Sequence, residues 1–277
     1  MKKQMLVLGL MLAFSQLTNA QDKKLVKLWQ TDSVFKTPES VLYDPANQVL
    51  YVTNIDGTDP WGKDDKGSVG KLGLDGKVQQ VEWVKGFQSP KGMALYKGTL
   101  FVADMDQVVS VDIKKGTITK RLTVEGAGGL NDVAVDARGV LYVSDSKNKK
   151  LYKIADGKAE LYLPELKGPN GVHINGGKLL IVDNGGLYEV GTDKSLKLIA
   201  DGMEGGTDGI EHLTTGEYIV SCWAGVIYLV KADGSKEVLL DTRDVKSNTA
   251  DIGIHPQKQI IYVPTFWKNS VVAYEVK

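Results

Sequence analysis

Asn131-Asp132-Val133-Ala134-Val135-Asp136, then Leu141-Tyr142-Val143, then Leu151-Tyr152-Lys153-Ile154 form three short apolar segments within residues 131–154. Alternation in the first marks a half-buried strand, and the continuous apolar run of the second marks a strand covered on both faces. Asp156-Gly157 then supplies the positive backbone angle of a tight turn, and a fourth strand follows it. Four strands joined by short turns read as one antiparallel sheet.

The same order recurs along the chain. Its clearest mark is the second strand: Leu50-Tyr51-Val52, Leu100-Phe101-Val102, Leu141-Tyr142-Val143, Leu180-Ile181-Val182, Tyr218-Ile219-Val220 and Ile261-Tyr262-Val263. Steps of 50, 41, 39, 38 and 43 residues separate the central positions of these triplets. A repeat of about 43 residues made of four strands is the length of a propeller blade. Asp75-Gly76, Lys115-Gly116 and Asp233-Gly234 repeat the turn chemistry in other units. No amphipathic stretch of ten or more residues reads as a helix, which excludes a parallel α/β sheet. The last unit supplies three strands, ending with Val271 to Val276, while Leu25-Val26-Lys27-Leu28-Trp29 stands unpaired at the front. The expected fold is therefore all-β, a six-bladed β-propeller over residues 21–277, with the N-terminal strand completing the last blade and closing the ring. The first step of 50 carries an insertion from Asp56 to Gly67, expected to overhang the mouth of the ring.

Composition narrows the setting. Of the 277 residues 42% are hydrophobic and 25% charged, which suits a packed domain and excludes a disordered chain. Lys and Arg together number 34, as do Asp and Glu, so the chain has no overall field to hold nucleic acid or an anionic membrane. Lys2 and Lys3, an apolar run from Met5 to Leu17 and the small-residue segment Thr18-Asn19-Ala20 read as a signal peptide over residues 1–20, cleaved before Gln21. The apolar run is too short to span a bilayer, and the mature chain is expected to be exported, to the periplasm or beyond. Cys222 is the one cysteine, so no disulfide forms within the chain.

The first residues of the six inner strands fall together around one mouth of a propeller. They are Glu39, Lys91, Asn131, Asn170, Asp208 and Asp251. One reading has these groups ending strands and satisfying turn amides. The other has two carboxylates and neighbouring amide oxygens holding one hard divalent cation, Ca, Mg, Mn or Zn. Asn54, Asp104, Asp145 and Asp183, at the ends of second strands, read as turn caps. His173, His212 and His255 fall inside inner strands and read as core groups, and Cys222 beside Trp223 reads as structural. No Gly-x-Ser-x-Gly elbow, His-Glu-x-x-His segment or dinucleotide fingerprint is present.

Thr37-Pro38-Glu39-Ser40-Val41, Asn131-Asp132, Pro169-Asn170-Gly171-Val172 and Thr207-Asp208-Gly209-Ile210, each heading its own blade in this order, give the mature chain a resemblance to the gluconolactonase and regucalcin family of six-bladed propellers. That resemblance implies a lactonase in which Glu39, Asn170 and Asp208 bind one divalent cation and Asn131 contacts substrate or water. Asp208 then also serves as base or proton shuttle, and Lys91 stabilises charge on the carbonyl oxygen. Where family members acting on sugar lactones often carry Arg, two residues before the blade-three Asn, this chain has Gly129. The expected partner is a small lactone or ester. The alternative is a propeller of the NHL type that binds a peptide or glycan without hydrolysis.

Overall fold

The computed structural model describes residues 23–277; the leader read over residues 1–20 lies outside them. Six four-stranded antiparallel sheets make up the fold. Blade one runs from the inner strand Pro38–Asp44 through Val49–Asn54 and Gly67–Gly73 to the outer strand Val78–Phe87. Four more blades repeat this order, with inner strands Pro90–Tyr96, Leu130–Val135, Pro169–Asn175 and Thr207–His212. The sixth has Gly253–His255 inside, then Ile260–Pro264 and Val271–Val276, with Leu25–Gln30 as its outer strand. Leu25 pairs with Val276 and Gln30 with Val272, so the two ends of the domain share one sheet.

Burial follows position in the blade. Val49–Asn54 is buried at every residue because neighbouring blades cover both of its faces. The outer strand Thr117–Thr123 is exposed at five of its seven positions, Lys120 and Arg121 among them. Apolar clusters sit between blades: Tyr51, Val69 and Phe87 of blade one pack with Leu100, Val102 and Val109 of blade two. The turn glycines Gly76, Gly116, Gly157 and Gly234 all have positive φ, as the turn reading expects. Among the described residues the one helical element is the 3₁₀ turn Phe266–Lys268, and no helix is long and apolar enough to cross a membrane.

Candidate functional site

The inner strands of blades one to five begin with the same irregularity. In blade one Pro38 pairs with Asn54 and Val41 with Val52, so Glu39 and Ser40 together oppose Thr53 alone. Lys91 and Gly92, Asn131 and Asp132, Asn170 and Gly171, and Asp208 and Gly209 are bulged in the same way. A bulge removes one residue from the ladder and turns its side chain out of the sheet, here into the channel. Side chains of the second strand then satisfy the amide freed by the bulge: Thr53 accepts from Ser40 N–H, Ser144 from Asp132 N–H and Ser221 from Gly209 N–H.

The small residue behind four of the bulges, Ser40, Gly92, Gly171 or Gly209, lets adjacent inner strands approach. A Cβ at Gly171 would sit 2.1 Å from the carbonyl oxygen of Asp208, and one at Gly92 would sit 2.1 Å from a carboxylate oxygen of Asp132. Asp132 fastens three blades. Its carboxylate lies against Gly92 and accepts the backbone N–H of Val172 at 2.7 Å, as well as that of Val133.

Glu39, Lys91, Asn131, Asn170 and Asp208 line one cavity of about 330 Å³ at the mouth where the inner strands begin. Asp251 occupies the matching place in blade six but does not join them. Its carboxylate turns down the channel, where it accepts the Ser40 hydroxyl, and Phe266 represents blade six in the cavity wall. From the 56–67 insertion, Pro60 and Trp61 also reach this cavity, so the loop does overhang the mouth.

Four buried oxygens in this cavity lack a hydrogen-bond donor: Glu39 Oε2, Asn131 Oδ1, Asn170 Oδ1 and Asp208 Oδ1. Each such group costs about 1–3 kcal/mol. The Asn131 amide is oriented by its Nδ2, which donates to the Ser146 hydroxyl at 3.0 Å; that hydroxyl donates in turn to the carbonyl of Pro169. Burial raises the Glu39 carboxyl to about 7, partly offset by Lys91. Asp208 is pushed well above the usual carboxylate range, first by burial and then by Glu39. Burial pulls Lys91 down while Glu39 and Asp208 pull it up. Its ammonium lies 4.3 Å over the Trp61 ring and makes no ion pair or hydrogen bond with any described residue. Lys147, which sequence reasoning passed over, stands 5.0 Å over the same ring.

The strand-end residues behave as caps. Asp104 accepts backbone N–H groups of Gln88 and Ser89, Asp145 those of Gly128 and Gly129, Asp183 those of Lys167 and Gly168, and Asn54 that of Lys36. Each fixes the loop that leads into the neighbouring inner strand. Cys222 is buried, its thiol is pushed up to about 12 by burial, and it does not line the cavity, which fits a packing role. None of the three histidines lines the cavity. Among the described residues no three His, Cys, Asp or Glu side chains are grouped to hold a metal ion. The candidate set has only two such side chains, and its remaining oxygens come from asparagine.

No curated protein matches the sequence. Solved structures share the fold at low identity. A protein provisionally identified as a gluconolactonase is 16% identical with a TM-score of 0.68, covering 92% of each chain. A streptogramin B lyase is 13% identical with a TM-score of 0.65, covering 92% of this chain and 98% of its own. A catalytically inactive virginiamycin B lyase from Staphylococcus aureus, with quinupristin, is 11% identical with a TM-score of 0.63, covering 92% of this chain and 99% of its own. The family model described as the SMP-30/gluconolactonase/LRE-like region matches residues 37–210, more than half of the chain and a span that includes all five cavity residues from Glu39 to Asp208, and the chain belongs to that family.

Proposed function

We propose that this protein is a divalent-metal-dependent hydrolase of lactones or related esters, with Glu39, Asn170 and Asp208 as the ligands of one cation. The observation that carries this reading is the set of unpartnered buried oxygens drawn from separate blades into one cavity. Oxygen donors of this kind, two of them carboxylates, suit Ca, Mg or Mn better than a thiolate-seeking metal. Burial raises both the Glu39 and the Asp208 carboxyl, and the Glu39 charge raises Asp208 further; a cation between them offsets these effects.

When bound, the cation supplies Lewis acidity toward a carbonyl oxygen and lowers the pKa of a water. The chain's own residues do the rest. Asp208 accepts the proton of the attacking water, whose oxygen bonds to the carbonyl carbon. The acyl C–O bond breaks, and the proton passes to the departing alkoxide, giving a hydroxy acid from a lactone. Asn131, held by Ser146, presents its free Oδ1 to the water or to a substrate hydroxyl. Lys91 stands in the cavity with its N–H groups uncommitted and stabilises negative charge on the carbonyl oxygen.

The test is a metal assay together with hydrolysis of a panel of aldonolactones and aryl esters, for the parent and for Asp208→Ala. Loss of both metal and activity in the variant supports the enzyme. A parent that binds no divalent cation and hydrolyses nothing points to the NHL-type binding module instead. The leader at residues 1–20 would deliver this enzyme outside the cytoplasm, which N-terminal sequencing of the exported protein checks by a start at Gln21.

A further inference from the structure

We propose that this mouth selects a flat apolar or aromatic ester or lactone rather than a polyhydroxylated sugar lactone; the substrate class rests on the hydrolase reading above. Four features of the cavity walls carry it.

Trp61 occupies the place where a blade-three side chain could otherwise contact substrate. A Cβ at Gly129 would lie 2.8 Å from Trp61 Cζ3 and 2.7 Å from Lys147 Cγ, so the indole and a side chain at residue 129 exclude each other. Lys91 and Lys147 hold that indole through cation–π contacts at 4.3 and 5.0 Å. Lys147 makes no ion pair or hydrogen bond with any described residue, and Lys91 is otherwise drawn only by the charges of nearby carboxylates, Glu39 and Asp208 foremost.

Across the mouth, blades five and six present Trp223 and Phe266, packed edge to face at 5.5 Å. Trp223 is 40% exposed yet fixed through its backbone: its N–H donates to the Gly206 carbonyl and its own carbonyl accepts from Asn248. Phe266 is held at a φ of 47°, a conformation that a bulky side chain resists. Hydrogen bonds between Thr265 and Ser270 close this turn and keep the ring buried in the wall. Strain retained at a cavity wall points to a use for the ring there.

Beyond the groups given above to the cation, the water and the carbonyl oxygen, the walls offer few groups to read hydroxyls. Ser146 spends its hydroxyl on Pro169 and Asn131, and Thr207 accepts from Gly185 N–H. The remaining polar side chains, Glu39, Lys91, Asn131, Asn170 and Asp208, are those assigned to the reaction. A sugar lactone would give up water at several hydroxyls for few partners in return, whereas an aromatic ring between Trp61 and Trp223 replaces water with ring contacts. Hydrolysis of such an ester consumes one water and releases a carboxylate and a phenol or alcohol.

The experiment uses the purified full-length chain with a saturating divalent cation and compares dihydrocoumarin with glucono-δ-lactone. Dihydrocoumarin is expected to have a kcat/KM at least about 100-fold higher. Trp61→Ala should raise its KM about ten-fold and narrow that ratio, with Trp61→Phe recovering most of the loss. Equal or better turnover of glucono-δ-lactone overturns the substrate class while leaving the hydrolase reading intact. A second measurement follows quenching of tryptophan fluorescence by 3-(2-hydroxyphenyl)propionate and by gluconate, with and without the cation. If neither lactone is hydrolysed, the hydrolase reading falls, and quenching decides alone. Selective binding of the aromatic acid upholds the apolar mouth; equal binding, or preference for gluconate, overturns it.

Discussion

The central channel has two mouths, and they differ in the opposite sense to their size. The larger cavity, about 460 Å³, opens where the inner strands end, and Val41, Leu95, Val133 and Ile254 give it apolar walls. Its acidic groups have partners. Asp251 takes the Ser40 hydroxyl, Asp132 takes two backbone N–H groups, and the N–H groups of His212 and Ile254 face Glu211. The smaller cavity, about 330 Å³, holds four oxygens with none. Unsatisfied buried polarity marks the mouth built for a ligand, because nothing within the fold repays its cost. Carboxylates at the other mouth stitch inner strands together, a task a propeller needs because its blades share few ladder hydrogen bonds.

The strongest way to break this contrast is to remove one carboxylate from each mouth. Asp208→Ala should lower lactone or ester hydrolysis by about 10³-fold and abolish stoichiometric metal binding. Glu211→Gln should leave kcat/KM within about two-fold of the parent. Comparable losses in both variants, measured with a common substrate, would end the functional division between the mouths. Lys91→Met comes next. On the proposed role, in which its charge meets the oxygen that becomes negative, it should reduce kcat by about 10²-fold with little change in KM. A change in KM alone would move Lys91 from the reaction to substrate binding.

The ring of polar residues could be read from sequence because each follows Pro, Leu, Thr or Ala and heads an apolar strand in a repeat whose period is plain. Their convergence needed the fold. The bulge that turns Glu39 or Asp208 into the channel depends on a pairing register across two strands; its trace in sequence is the small residue behind, as in Asn170-Gly171 and Asp208-Gly209. Asp251 shows the limit of reading by repeat position. Ser40 of blade one and the space at Gly209 of blade five draw its carboxylate down the channel, and neither neighbour is visible from blade six alone. Trp61 was legible as part of an insertion. Its lodging between Lys91 and Lys147, across two other blades, was not, because loop contacts carry no periodic signature.

A smaller effect should separate the mouths by pH. Burial raises Glu211 to about 8. From its ordinary value of 4.5 up to about 8 the folded state keeps a proton that the unfolded state has lost, so stability falls as pH rises through this window. Replacing Glu211 with Gln removes that loss. At pH 8.5 the Glu211→Gln variant should melt about 3 °C above the parent, and the gap should close near pH 5. A gap that stays constant with pH would mean that Glu211 acts through packing and not through its charge.

The smallest effect belongs to His173, whose imidazole faces the larger cavity without a hydrogen-bond partner among the described residues. Burial, followed by the nearby His212, lowers its pKa from 6.5 to about 4. The sign is opposite to that of Glu211. Between pH 6.5 and 4 the unfolded state takes up a proton that the folded state refuses, so stability is lost as pH falls through that window. His173→Leu, matched to the apolar wall, should therefore leave the melting temperature nearly unchanged at pH 7.5 and raise it by about 2 °C at pH 5. Hydrolysis should be unaffected at both pH values, because no histidine lines the smaller cavity. If His173→Leu instead slowed turnover without changing stability, the two ends of the channel would be coupled, and the larger cavity would have to be counted as part of the site.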